Sequence, residues 1–177
     1  MKKTLPVPAP EIGMTLYTKS KSFLSWGIRA REGQSCSHTA GVRYDRNLDQ
    51  YMVSEMMPEG LRSTAWEKWV KKEWKYVAHT VCLQNDLEGE AEKVNRYISQ
   101  RVNEAPEYAY GGILGFFGKF FKRLNTSKSD ICSELWTRAY QKAGLFGGYI
   151  TPELTSPQDL LKLCESYIDK FIVRSRS

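Results

Sequence analysis

The chain has 177 residues, 41% hydrophobic and 26% charged, a balance that suits one globular domain with its own core and excludes a disordered or fibrous chain. Lys and Arg number 26 against 20 Asp and Glu, and the resulting +6 charge permits attraction to nucleic acid or anionic lipid without requiring either. No run approaches ~18 uninterrupted apolar residues, the Met1-Lys2-Lys3 start lacks a signal-peptide core, and Cys36, Cys82, Cys132 and Cys164 show neither zinc-ligand spacing nor a C-x-x-C pair. A cytoplasmic protein with reduced thiols and no metal or organic cofactor is therefore expected.

In chain order, residues 1–12 form a Pro-rich leader, expected to lie extended on the surface. Residues 13–19 alternate like a short strand, and Ser20 to Arg31 places Phe23, Leu24, Trp26 (or Gly27) and Ile28 at helical spacing before a turn at Glu32-Gly33-Gln34. Ser37 to Asp45 and Gln50 to Met57 alternate with period two around Arg46-Asn47-Leu48-Asp49, which predicts a hairpin. A four-residue loop would set Asp45 opposite Gln50, Tyr44 opposite Tyr51, Val42 opposite Val53, Ala40 opposite Glu55 and His38 opposite Met57. One apolar face then carries His38 and Glu55 as diagonal neighbours, roughly 7–8 Å apart at Cα. A buried carboxylate without a partner is costly, so pairing with the imidazole has a physical motive.

After a turn at Pro58-Glu59-Gly60, Leu61 to Thr64 reads as a short strand. Ala65 to Trp74 reads as an amphipathic helix with Trp66, Trp69 and Val70 inward, Lys75 to Leu83 as a strand, and Glu88 to Val102 as a polar helix with an Ala91, Val94, Ile98, Val102 stripe. His79, on a Val and Leu face, reads as structural. Tyr108 to Leu124 is the most apolar helical stretch, with a Phe116 to Phe121 stripe that suits the core better than an acyl pocket or lipid contact, and Asn125 to Lys128 links it onward. Ser156 to Cys164 reads as a capped helix with Pro157 at its first position, Tyr167 to Val173 as a closing strand, and residues 174–177 as a tail. Residues 13–173 then form a single α+β domain, a small antiparallel sheet packed against helices mainly on one side.

Cys132 falls in the first turn of a helix for which Ser129 or Asp130 is the natural N-cap and Gly144 the C′ stop. The positive end of that helix favours thiolate over thiol, the more so beside a cationic imidazole. Cys132, His38 and an orienting Glu55 are the parts of a thiol hydrolase. Cys36 is a rival or resolving thiol or, more simply, an incidental loop cysteine. The lysines Lys68, Lys71, Lys72 and Lys75 around Trp66, Trp69 and Trp74 fit a solvated helix face better than a platform for single-stranded nucleic acid.

Gly13-Met-Thr-Leu with Trp26-Gly-Ile-Arg29, Ser37-His-Thr-Ala-Gly-Val, Val53-Ser-Glu-Met-Met-Pro-Glu-Gly-Leu61, Tyr108-Ala-Tyr-Gly-Gly-Ile-Leu and Ile131-Cys-Ser-Glu-Leu-Trp resemble, in that order, the circularly permuted NlpC/P60 papain-like cysteine hydrolases of the YiiX-like kind. The likeness spans about residues 12–162, with Met14 departing from the acidic residue that commonly follows the glycine. It implies a permuted papain-like fold with Cys132 as nucleophile, His38 as base and Glu55 as third polar residue. The expected activity is amidase or peptidase cleavage of a peptide, amino-acid or lipid amide, or of an ester, through an acyl-enzyme. Alternatives are a lipid acyltransferase of related fold and a non-catalytic module binding a ligand or nucleic acid; peripheral lipid contact fits either hydrolase or transferase.

Overall fold

Alternation along the N-terminal half becomes a six-stranded antiparallel sheet. The structure is a computed structural model, and it describes residues 5–19, 35–57, 60–104, 107–108, 129–130 and 132–176. The strands are β1 (Thr15–Thr18), β2 (His38–Asp45), β3 (Gln50–Met57), β4 (Gly60–Ala65), β5 (Val77–Leu83) and β8 (Phe171–Ser175), in the spatial order β4-β3-β2-β1-β5-β8. A separate parallel pair joins β6 (Glu107–Tyr108) to β7 (Ser129–Asp130). The α-helices among the described residues are α1 (Trp66–Glu73), α2 (Glu88–Glu104), α3 (Cys132–Ala143) and α4 (Pro157–Ser166).

The hairpin register follows from the loop. Asp45 pairs with Gln50, Tyr44 with Tyr51, Val42 with Val53 and Ala40 with Glu55, and the Tyr44 and Tyr51 rings meet edge to face at 5.1 Å. Asp49 closes the turn in the left-handed region at φ 50°, a conformation that Asp tolerates better than most residues.

Because side chains alternate across a strand, β1 sends Leu16 to one face and Tyr17 to the other, and each face has its own core. On the first, Leu16, Ala40, Val42 and Val53 pack under Trp66 and Trp69 of α1 and Trp74 beyond it. On the second, Tyr17 and Val81 meet Val94 and Ile98 of α2, Leu135, Trp136 and Tyr140 of α3, and Leu160 and Leu161 of α4. Among the described residues helices thus cover both faces, three on one and one on the other. Gly41 leaves room for α3: a Cβ there would fall on the Trp136 ring. Trp66, Trp69 and Trp74 are buried while Lys68, Lys71, Lys72 and Lys75 are exposed, as expected of a solvated helix face.

Several boundaries differ from the sequence reading. Lys75 and Tyr76 belong to a 3₁₀ turn, so β5 starts at Val77. Tyr167 caps α4 and β8 starts at Phe171, running through Arg174 and Ser175 of the expected tail. This last strand is held by pairing with β5 and by the Arg176 N–H donating to the Ala78 carbonyl at 2.8 Å, long-range contacts that its sequence does not announce. Tyr108, Ser129 and Asp130 lie in the β6–β7 ladder, so Tyr108 does not open a helix and neither Ser129 nor Asp130 serves as the α3 N-cap. Gly144 does end α3, at φ 83°, with Leu145 N–H donating to Tyr140 and Gly144 N–H to Gln141 in a Schellman closure. Ser156 and Asp159 cap α4 reciprocally, with Pro157 first. The expected helix over Ser20 to Arg31 and its turn, and the Phe116 to Phe121 stripe with its linker, lie outside the described residues.

Candidate functional site

The β2–β3 pairing ends at Ala40 and Glu55, one diagonal step from His38. The His38 ring reaches across that step, and its Nε2 lies 2.9 Å from Glu55 Oε2. Glu55 is buried, its side chain only 4% exposed, so its charge has to be met by the protein. Oε1 accepts from Arg62 Nη2 at 2.5 Å and from Trp69 Nε1 at 3.1 Å, and Oε2 is taken by His38. Burial would push the carboxyl up, but bonds from His38 and Arg62 hold it down at about 2.

With Nε2 facing Glu55, Nδ1 is the ring nitrogen left for Cys132, to which His38 also bonds. Burial disfavours the imidazolium, yet the charge and hydrogen bond of Cys132, followed by those of Glu55, raise His38 to about 10. Burial likewise disfavours the Cys132 thiolate, and here His38 and the backbone N–H groups of Thr39 and Ser133 outweigh it, leaving the thiol below its ordinary value. The Thr39 N–H is available because β3 does not pair with β2 at that residue. The Ser133 N–H belongs to the first turn of α3, where backbone donors have no helical partner. Cys132 itself is 7% exposed.

The structure therefore brings together all three side chains singled out from the sequence. What the sequence reading missed is the rest of the carboxylate's shell. Arg62 stands directly opposite Glu55 on β4, a pairing that continuing the strand register from Met57–Gly60 would have revealed. The indole of Trp69 left no such signal, because its donation depends on how α1 docks on the sheet.

Cys36 is fully buried, and burial, then the nearby Cys132 charge, pushes its thiol up to about 12, the opposite of an activated sulfur. His79 bridges Ser35 Oγ at 3.1 Å and Ser175 Oγ at 2.8 Å, tying the approach to β2 to the end of β8, and burial lowers its basicity. This is a structural use. All four cysteines are free, and among the described residues no group of three or more His, Cys, Asp or Glu is arranged to hold a metal ion. No helix among the described residues is long and apolar enough to cross a membrane.

No family model matches the chain, and no curated protein matches it significantly. Among solved structures the chain is similar to the crystal structure of metalloprotein YiiX from Escherichia coli O157:H7 (DUF1105), at 15% identity and a TM-score of 0.55, over 95% of this chain and 98% of that one. That likeness establishes a YiiX-like α+β fold.

Proposed function

We propose that the chain is a thiol-dependent hydrolase acting on an amide or ester carbonyl through an acyl-enzyme, within the permuted NlpC/P60 papain-like group. The observation that carries this reading is geometric: Glu55 holds the His38 ring at 2.9 Å through Nε2 and leaves Nδ1 for Cys132, whose thiol the His38 charge and the Thr39 and Ser133 N–H groups bring below its ordinary value. In the proposed reaction the Cys132 sulfur attacks the carbonyl carbon, and N–H groups at the start of α3 hold the developing oxyanion. His38⁺ gives its Nδ1 proton to the leaving amine or alcohol, then takes a proton from the water that releases the acyl group. Glu55 fixes the ring and stabilises its charge, and Arg62 and Trp69 hold Glu55 in place. Glu55, His38 and Cys132 are thus positioning acid, base and nucleophile. A peptide, amino-acid or lipid amide is the substrate class, and a lipid acyltransferase would differ only in the acceptor that takes the acyl group.

The YiiX structure is described as that of a metalloprotein. The donor set here does not suit a metal at this site, since both Glu55 oxygens and His38 Nε2 are committed to one another, to Arg62 and to Trp69. No step is routed through one.

The test is the pH profile of iodoacetamide alkylation at Cys132, with trapping of the Cys132 thioester by mass spectrometry across amide, peptide and ester libraries. Alkylation should proceed well below pH 8, and His38→Ala should abolish that advantage. A Cys132 that titrates as an ordinary thiol in both proteins would overturn the proposal.

A further inference from the structure

The far end of β2 holds a second cluster of charge. His38 and Asp45 are the first and last residues of that strand, so roughly 20 Å of extended chain separate the two ends. Along α2, Glu92, Asn95, Arg96, Ser99 and Asn103 recur at helical spacing and form a polar stripe beside the apolar one that meets the core. Between this stripe, the last residues of β2 and the Arg46–Asp49 turn lies a cavity of about 470 Å³. That volume falls within the range of small-molecule sites, ~300–1,000 Å³.

Hydrogen-bond donors are in excess around it. Arg43 is only 5% exposed, and its Nη2 donates to Asp45 Oδ2 at 2.8 Å and to Ser63 Oγ at 3.3 Å. Its buried Nε–H has no partner among the described residues, an expensive omission for a guanidinium in the interior. Asn95, 4% exposed, accepts the Tyr44 N–H at 2.8 Å through Oδ1, which leaves its amide N–H₂ group free to donate. Asp45 is held by Arg43 and Glu92 by Arg46, whereas Arg96 makes no ion pair among the described residues. Tyr44 also lines the cavity, while its ring, on the face of β2 opposite Arg43, meets Tyr51 edge to face.

We propose that this recess is a binding site for a small organic phosphate monoester. The phosphoryl oxygens accept from Arg96 and the Asn95 amide, while the organic part fills the rest of a recess far larger than a phosphoryl group needs. Several donors presented from different directions suit three terminal oxygens and a charge near −2 better than one flat carboxylate.

The test is isothermal titration calorimetry of the full chain with glycerol 3-phosphate, inorganic phosphate and acetate at constant ionic strength. Saturable one-to-one binding of glycerol 3-phosphate is expected, tighter than of either other anion. Arg96→Ala, at an exposed position, should weaken it about tenfold, the loss of one charge-assisted hydrogen bond. Lys68→Ala, on the remote α1, should leave it unchanged, and so should Cys132→Ala, which separates this site from the proposed hydrolase chemistry. Absence of saturable binding, equal affinity for acetate, or equal losses in Arg96→Ala and Lys68→Ala would overturn the proposal. Inorganic phosphate binding as tightly as the ester would overturn the assignment of an organic ligand.

Discussion

The two ends of β2 handle a buried charge in opposite ways. At the His38 end, Glu55 receives three donors on two oxygens, and that saturation locks a carboxylate in place so that it can orient an imidazole. At the Asp45 end, Arg43 is as deeply buried, yet one of its N–H groups has no partner among the described residues, and the residue borders a cavity. A saturated charge acts as a fixed positioning group, while an undersupplied one retains capacity for a ligand.

The largest effect should come from removing the saturated charge. Glu55→Ala leaves His38, Arg62 and Trp69 facing an empty buried position and should cost about 3–5 kcal/mol in urea unfolding, and glycerol 3-phosphate should stabilise this variant no more than it stabilises wild type. Asp45→Ala strips Arg43 of its carboxylate and should also destabilise, by about 3 kcal/mol, but here glycerol 3-phosphate should stabilise more than it does in wild type, since the phosphoryl charge stands in for the missing carboxylate. Equal responses of the two variants to the phosphate ester would erase the contrast between the two ends.

A smaller loss is expected from Gly41→Ala. The new methyl must displace Trp136, which carries α3 and so Cys132, at a cost of about 1–3 kcal/mol. Cys132 alkylation in this variant should slow at neutral pH as the sulfur moves off the Thr39 and Ser133 N–H groups, and an unchanged rate would uncouple helix seating from thiol activation.

The pH dependence sharpens the comparison further. Glu55 titrates at about 2 in the folded chain against a usual 4.5, so its contribution is fully present above pH 4.5 and is lost as pH falls toward 2. Denaturant midpoints measured between pH 5 and 2 should fall more steeply in wild type than in Glu55→Gln. The smallest effect belongs to Arg62→Ala. Its side chain is 44% exposed, so stability should change by about 1 kcal/mol or less, while the Glu55 titration moves upward in NMR carboxyl shifts.

The hairpin was legible because a four-residue loop and strict alternation leave only one register that buries Ala40, Val42 and Val53 together. That register alone placed His38 beside Glu55. The helical spacing of α1 and α2, the Ser156 cap and the Gly144 stop were equally local and were found where expected. The α3 cap was misplaced because Ser129 and Asp130 have good capping chemistry but are recruited by Glu107 and Tyr108, more than 20 residues away. Likewise β8 extends to Ser175 because β5 offers it an edge.

By itself the sequence determined the elements that close over a few residues: strand faces, helix faces, caps and the hairpin register, all governed by backbone periodicity and turn length. Tertiary structure alone decided what those elements meet. The seating of α3 against Gly41 brings Cys132 to His38, the docking of α1 turns the Trp69 indole onto Glu55, and the packing around Arg43 leaves its Nε–H without a partner among the described residues. Burial and long-range pairing set those charges and contacts, and no local pattern encodes how much water a distant element will exclude.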